Sequence, residues 1–222
     1  MRYKAVIFDL DGTLLNTLED LAHSMNSVLH RFGFSSHPLH AYRHFVGDGM
    51  ETLVRRTLPP DRREEETTVA TCLAAMRREY GLRWKELTEP YPGIPQLLDA
   101  LTERQLPRAV LSNKPDDFTR QMVEALLSRW TFHPVFGERP GVAKKPDPAG
   151  TLEIARLLGF PPAEFLYLGD TNTDMQTARA AGMHAVGVLW GFRGREELVA
   201  SGAETLLENP MDLLKLLDSM AG

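Results

Sequence analysis

An α/β architecture, with a parallel sheet core and an inserted helical cap domain, is predicted by three observations. Short apolar runs alternate with longer amphipathic ones, the pattern of strands joined by crossover helices. Residues 15–88 carry helical periodicity and no strand-like run. A stiff, turn-rich break, Thr88-Glu89-Pro90-Tyr91-Pro92-Gly93, then returns the chain to alternating strands and helices. The expected division is a core of residues 1–14 and 89–222 and a cap of residues 15–88.

The first strand is expected at residues 5–8, a short apolar run suited to burial on both faces. In the cap, Leu18, Leu21 and Leu29 mark a first helix, followed by helical patterns over residues 51–58 and 64–80. The core resumes with a helix at 94–102, a strand at 109–111 and a helix at 117–130. A helix at 151–158 is stopped by Gly159, and strands follow at 165–168 and 185–189. Leu213, Leu214, Leu216 and Leu217 give a C-terminal helix its apolar face.

The 222 residues are 43% hydrophobic and 25% charged, enough to bury a core. A net charge of −5 argues against a general nucleic-acid binder, which needs a basic face. The single cysteine, Cys72, excludes an intrachain disulfide and suits a reducing cytoplasm. No apolar stretch approaches the roughly 20 residues of a membrane helix, and the N-terminal run reaches Asp9 too soon for a signal peptide. A cytoplasmic protein without a membrane partner is expected.

Three predicted strands end in polar residues: Asp9-Leu10-Asp11, Ser112-Asn113 and Gly169-Asp170. Ligands of open parallel sheets bind beyond the carboxyl ends of the strands, so these groups are expected at one edge. Asp9 and Asp11, two residues apart, face the same rim if the chain is still extended, and Gly12 permits the turn after them. Two such carboxylates repel, and a divalent cation relieves the repulsion. Magnesium suits oxygen ligands from one or two carboxylates plus a substrate phosphate. A carboxylate is also able to attack phosphorus. Ser112 and Asn113 offer a hydroxyl and a backbone N–H to phosphate oxygens, or else a turn. Lys144-Lys145-Pro146-Asp147-Pro148 is a stiffened cationic loop, either a phosphate contact or a surface turn.

Asp170 and Asp174 add two carboxylates. Their run begins like a calcium-binding loop, but Met175 and Ala181 stand where that loop needs glycine and glutamate. In the cap, Gly47-Asp48-Gly49 reads as a helix start with Asp48 as N-cap, as a loop whose N–H groups meet substrate, or as both. His37, His40 and His44 read as a surface helix, without an acidic or cysteine partner for a metal.

Together these pieces resemble the haloacid dehalogenase superfamily of phosphotransferases. The motif Asp-x-Asp-Gly-Thr-Leu is matched in full by residues 9–14. The resemblance spans residues 6–190 and implies a Rossmann-like core. Within the superfamily, Val46 to Leu53, Ser112-Asn113-Lys114-Pro115 and Gly169 to Gly191 look most like bacterial phosphoglycolate phosphatases. It implies Asp9 as the nucleophile, and Asp11 as the acid that protonates the leaving group and then activates water. It further implies magnesium on Asp9, the Asp11 carbonyl and Asp170, with Asp174 behind them. Ser112, Asn113 and Lys145 would bind the phosphoryl group. Gly47, Asp48, Gly49 and Lys114 are expected to face the rest of a small phosphorylated metabolite. Asn16-Thr17 departs from the Asp-Thr or Asp-Ser of many relatives, outside the central chemistry. Pyrophosphatase, sugar-phosphate phosphatase and phosphomutase activities share much of this pattern, and a catalytically silent regulatory domain is the alternative of another class. A carbon–halogen hydrolase would not need Asp11 and Asp170. A phosphonate hydrolase would need a cap lysine, and the only one is Lys85, near the return of the chain.

Overall fold

In the computed structural model, which describes residues 3–219, the chain enters on strand β1 (Ala5–Phe8). A two-residue strand, β2 (Leu15–Asn16), then leads into four helices: α1 (Leu18–Arg31), α2 (Leu39–Phe45), α3 (Met50–Thr57) and α4 (Glu66–Arg83). Strand β3 (Glu89–Pro90) brings the chain back. The core continues through α5 (Ile94–Glu103), β4 (Arg108–Pro115), α6 (Asp116–Leu126) and β5 (Val135–Glu138). After them come α7 (Ala149–Leu158), β6 (Phe165–Gly169), α8 (Asn172–Ala180) and β7 (His184–Val188). The chain closes with α9 (Arg195–Ala200), β8 (Thr205–Leu207) and α10 (Asp212–Ser219). Residues 1–2 and 220–222, the outer ends of the expected core, lie outside the described residues.

The main sheet has six parallel strands in the order β5-β4-β1-β6-β7-β8. Strand β1 lies at its centre, with Phe8 paired to Val110 on one side and Leu168 on the other. Because strand side chains alternate, each strand supplies both faces. Ala5, Ile7, Ala109, Leu111, Phe165, Tyr167 and Ala185 pack on one side against Ile154, Met175, Ala178 and Leu198. Val6, Phe8, Val110, Leu166, Leu168 and Val186 face the other, against Ile94, Leu98, Leu213 and Leu217. That second core runs on without a break into α1, α3 and α4 through Met25, Leu53 and Met76. Burial on both faces is why these strands read as apolar runs.

Several elements differ from the expectation. Strands β5 and β8 are edge strands that do not stand out as apolar runs, β5 because it includes Gly137 and Glu138 and β8 because it has three residues. Strand β4 extends to Pro115, with an irregularity in its pairing between Leu111 and Pro115. Helix α6 ends at Leu126, short of Trp130, and α7 begins at Ala149. The interval read as purely helical opens on β2, which pairs antiparallel with β3. The two crossings between core and helical insertion are thus tied to each other.

Asp20, in the first turn of α1 and 1% exposed, secures the return. Its carboxylate accepts bonds from the Leu87 N–H (3.1 Å), the Thr88 N–H (2.9 Å) and the Thr88 hydroxyl (2.7 Å). Removing it orphans buried donors, so Asp20→Ala is expected to cost about 2–3 kcal/mol of stability. The check is thermal melting, where a loss of roughly 5–10 °C is expected.

Candidate active site

The carboxyl ends of β1, β4 and β6 converge as parallel pairing requires, and the polar residues in or just after these ends meet there. Asp9 comes directly after β1; its N–H donates to the Leu168 carbonyl and so continues the ladder by one residue. Asp9 is 4% exposed. Its Oδ1 accepts from the Leu10 N–H at 2.7 Å and lies 2.9 Å from the Lys145 ammonium. Lys145 also donates to Asp174 Oδ1 (2.7 Å) and to the Leu111 carbonyl (3.2 Å). The neighbouring Lys144 instead pairs with Glu138 at the surface.

Asp9, Asp170 and Asp174 form one buried acidic cluster, with candidate ligand oxygens all within 4.8 Å of one another. Asp170 is anchored by Thr13 Oγ1 (3.1 Å) and the Phe192 N–H (2.8 Å). Asp174 is built in by α8 itself. It closes a capping box with Thr171, whose N–H and hydroxyl both donate to Oδ2 (3.1 and 2.7 Å). The Tyr167 hydroxyl donates to its Oδ1. Glycines make the close approach possible. A Cβ on Gly12, which has φ +81°, would sit 2.2 Å from Asp170 Oδ2, and one on Gly191 would sit 2.2 Å from Asp170 Cβ.

The electrostatics follow from burial. Burial, then the Asp174 charge, raises the Asp9 pKa to about 7, although Lys145 pulls against the shift. Burial, then Asp174 and Asp9, pushes Asp170 well above the usual carboxylate range. For Lys145 burial favours the neutral amine, but Asp174 and Asp9 overcome it and keep the ammonium protonated.

Asp11 lies apart from the cluster. Its carboxylate accepts both at Oδ1 (2.9 Å) and Oδ2 (3.1 Å) from the Lys114 ammonium. Lys114 Nζ also stands 4.5 Å from the ring centroid of Tyr80, on α4. Ser112 lines the cleft, and its Oγ accepts the Lys114 N–H at 3.2 Å.

The Asn113 side chain bonds within the protein. Its Oδ1 accepts the Lys145 N–H (2.9 Å), and its Nδ2 donates to the carbonyls of Lys145 (3.1 Å) and Gly47 (3.3 Å). The side chain is occupied in positioning the Lys145 loop. Asp48 is not the helix cap, one of its two expected readings: the N-cap of α3 is Gly49. The Asp48 carboxylate instead accepts from Thr173 Oγ1 at 2.7 Å and pairs with Arg56. Burial alone would raise its pKa, but the bonds from Thr173 and Arg56 hold it below the usual range. Arg193 Nη2 donates to the Val46 carbonyl at 3.0 Å. Asn113, Thr173 and Arg193 therefore fasten the 46–48 loop to the core. His37, His40 and His44 form no metal group: His37 Nε2 contacts the Thr57 carbonyl (2.8 Å), and the other two are exposed.

A cleft is lined on the core side by Asp9, Asp11, Ser112, Asn113 and Lys114. Its roof is Leu21, Val46, Gly47, Gly49, Met50 and Leu53.

Sequence reasoning missed Thr13, Tyr80, Tyr167, Thr171, Thr173 and Arg193. Thr13 stands inside the matched motif and Thr171 two residues after a strand, so both had a local signal. Tyr80 sits on an insertion helix whose pattern marks only packing.

The family model of haloacid dehalogenase-like hydrolases matches residues 6–188. A phosphoglycolate phosphatase of Pseudomonas putida is 32% identical over 95% of this chain and 78% of its own length. One from Aquifex aeolicus is 30% identical over 97% of each. A crystal structure from Lactobacillus delbrueckii subsp. bulgaricus, of a candidate phosphoglycolate phosphatase, is 30% identical with a TM-score of 0.90, covering 98% of this chain and 99% of that one. Among the described residues, no helix is long and apolar enough to cross a membrane.

Proposed function

Because this chain belongs to the haloacid dehalogenase-like hydrolase family and is a phosphatase, we propose that it hydrolyses a small phosphate monoester, phosphoglycolate, through an aspartyl-phosphate at Asp9. The observation that carries this reading is the Lys145 ammonium lying 2.9 Å from a buried Asp9 that lines a cleft. Lys145 and Leu10 N–H hold Oδ1, which leaves Oδ2 to attack phosphorus. Asp11 protonates the leaving oxygen and then activates the water that opens the aspartyl-phosphate. Ser112, Lys145 and the Asn113 backbone N–H bind the phosphoryl oxygens as charge builds on them.

The acidic cluster fits magnesium. Its donors are hard carboxylate oxygens, three buried carboxylates against the one cation Lys145, and magnesium would be held by Asp9, the Asp11 carbonyl and Asp170, with Asp174 supporting. When bound, magnesium supplies positive charge to the transferring phosphoryl group. Its binding requires ionised carboxylates, and burial has raised the Asp9 pKa to about 7. The magnesium-induced rise in melting temperature is therefore expected to grow between about pH 5.5 and about pH 8; a rise that shrinks over that span would contradict the assignment.

Residues 15–88 act as a cap that closes the cleft against bulk water, with Gly47, Asp48 and Gly49 over the substrate. The phosphoglycolate reading is supported by the named relatives and by Lys114 as partner for a substrate carboxylate. A small-metabolite enzyme with one buried cysteine suits a reducing cytoplasm. The test is a substrate panel of phosphoglycolate, pyrophosphate and hexose phosphates, scored by kcat/KM with magnesium. Highest efficiency on phosphoglycolate is expected; isomerised hexose phosphate as the main product would establish a mutase instead.

A further inference from the structure

We propose that Lys114 couples recognition of a substrate carboxylate to the release of Asp11. This rests on the phosphatase reading above and adds a reason for acid specificity. The starting observation is a conflict within the site. Asp11 must reach the leaving oxygen, yet both its oxygens are taken by one ammonium, at 2.9 and 3.1 Å. The pair is enclosed, with side-chain exposures of 12% for Asp11 and 3% for Lys114, so water does little to loosen it.

The cleft supplies one competitor for that clamp. Toward the insertion its walls are the apolar side chains of Leu21, Val46, Met50 and Leu53 with Gly47 and Gly49, none of which carries a positive charge. Lys145 is already engaged by Asp9 and Asp174. Among the residues lining the cleft, Lys114 is the one cation. A substrate carrying a phosphate at Asp9 and a carboxylate one carbon away must set that carboxylate against Lys114. It takes the ammonium that Asp11 held, and Asp11 is free to turn toward the leaving oxygen. The Tyr80 ring, 4.5 Å away, keeps the ammonium in place during the exchange. An ester without an acid leaves the clamp shut. The binding energy of the remote group thus appears in kcat as well as in KM.

The experiment uses the magnesium-loaded enzyme with phosphoglycolate and with methyl phosphate, the same ester without its carboxylate. Formate serves as the missing piece. Wild type is expected to favour phosphoglycolate, chiefly through kcat, and formate is expected to accelerate methyl phosphate turnover several-fold. Lys114→Met is expected to lower the kcat/KM preference for phosphoglycolate by about 100-fold, as loss of a charged hydrogen bond does. Formate should have no effect on that variant. The formate titration needs no variant, so misfolding of Lys114→Met would not shield the proposal. The exchange is overturned if formate leaves wild-type methyl phosphate turnover unchanged or slows it. It is also overturned if a soluble, folded Lys114→Met protein keeps the wild-type preference. Failure of the substrate reading looks different: wild type itself would then show no preference for phosphoglycolate over methyl phosphate.

Discussion

Asp9→Asn is expected to abolish phosphate release while leaving the fold intact or better off. An amide does not attack phosphorus, while its carbonyl oxygen still accepts from the Leu10 N–H and the Lys145 ammonium where Oδ1 now lies. Loss of a nucleophile removes on the order of 10⁴-fold or more of kcat. Stability should move the other way. In the folded, metal-free protein, burial and Asp174 have raised the Asp9 pKa from 3.8 to about 7. A carboxyl raised in the folded state destabilises as it ionises, so wild type loses stability as pH rises through that window. Asparagine carries no such term. The metal-free variant is therefore expected to match wild type near pH 4 and to melt at a higher temperature above pH 7. Thermal melts across pH and a phosphate-release assay on the same preparation check both halves. Magnesium-dependent release that persists undiminished in pure variant would rule out Asp9 as the nucleophile.

What was legible beforehand follows from the range of the interactions. Asp9, Ser112 and Asp170 could be placed at one sheet edge because each directly follows an apolar run, and parallel pairing then fixes where strand ends go. That signal is local. The contacts that tune the site are not. Lys114 reaches Asp11 across 103 positions, and Thr173 reaches Asp48 across 125, with no periodicity to announce either. Tyr80 looks like any core position of an amphipathic helix; its ring is buried, and its use as a platform for Lys114 depends on how α4 packs.

Asn113 and Asp48 show a second limit. Position suggested a backbone N–H for phosphate at Asn113 and a helix cap at Asp48, and neither suggestion says which partners the side chains find. Their partners were decided by which surfaces came together: the Lys145 loop and Gly47 for Asn113, Thr173 and Arg56 for Asp48. The short strands have a plainer cause. Strands β5 and β8 lie at the sheet's edges, so they carry less of the two-sided burial that marks the central strands as apolar runs. The β2–β3 pair is two residues on each side and leaves no repeat to detect.

Lys145→Met is the variant in which fold and chemistry should fail together. The lysine side chain is 2% exposed and is the cation between Asp9 and Asp174. Methionine fills similar space, so the change isolates the charge. It leaves Asp9, Asp170 and Asp174, with candidate ligand oxygens within 4.8 Å, without that cation. Breaking a buried ion pair from one side costs about 3–5 kcal/mol. For a chain of this size that is a fall of roughly 10 °C or more in melting temperature. The pH dependence has a definite sign. Lys145 lowers the Asp9 pKa, so its loss lets that pKa rise further. An acid raised further in the folded state is a larger liability as pH increases, so the deficit should be widest above pH 7 and narrow toward pH 4. Magnesium should restore part of the stability, because it places positive charge on the same carboxylates. It should not restore turnover, expected to fall about 10³-fold with the loss of a cation aimed at the phosphoryl oxygens. A variant melting within about 2 °C of wild type at pH 8 without metal would show that the carboxylates do not depend on Lys145 for their balance of charge.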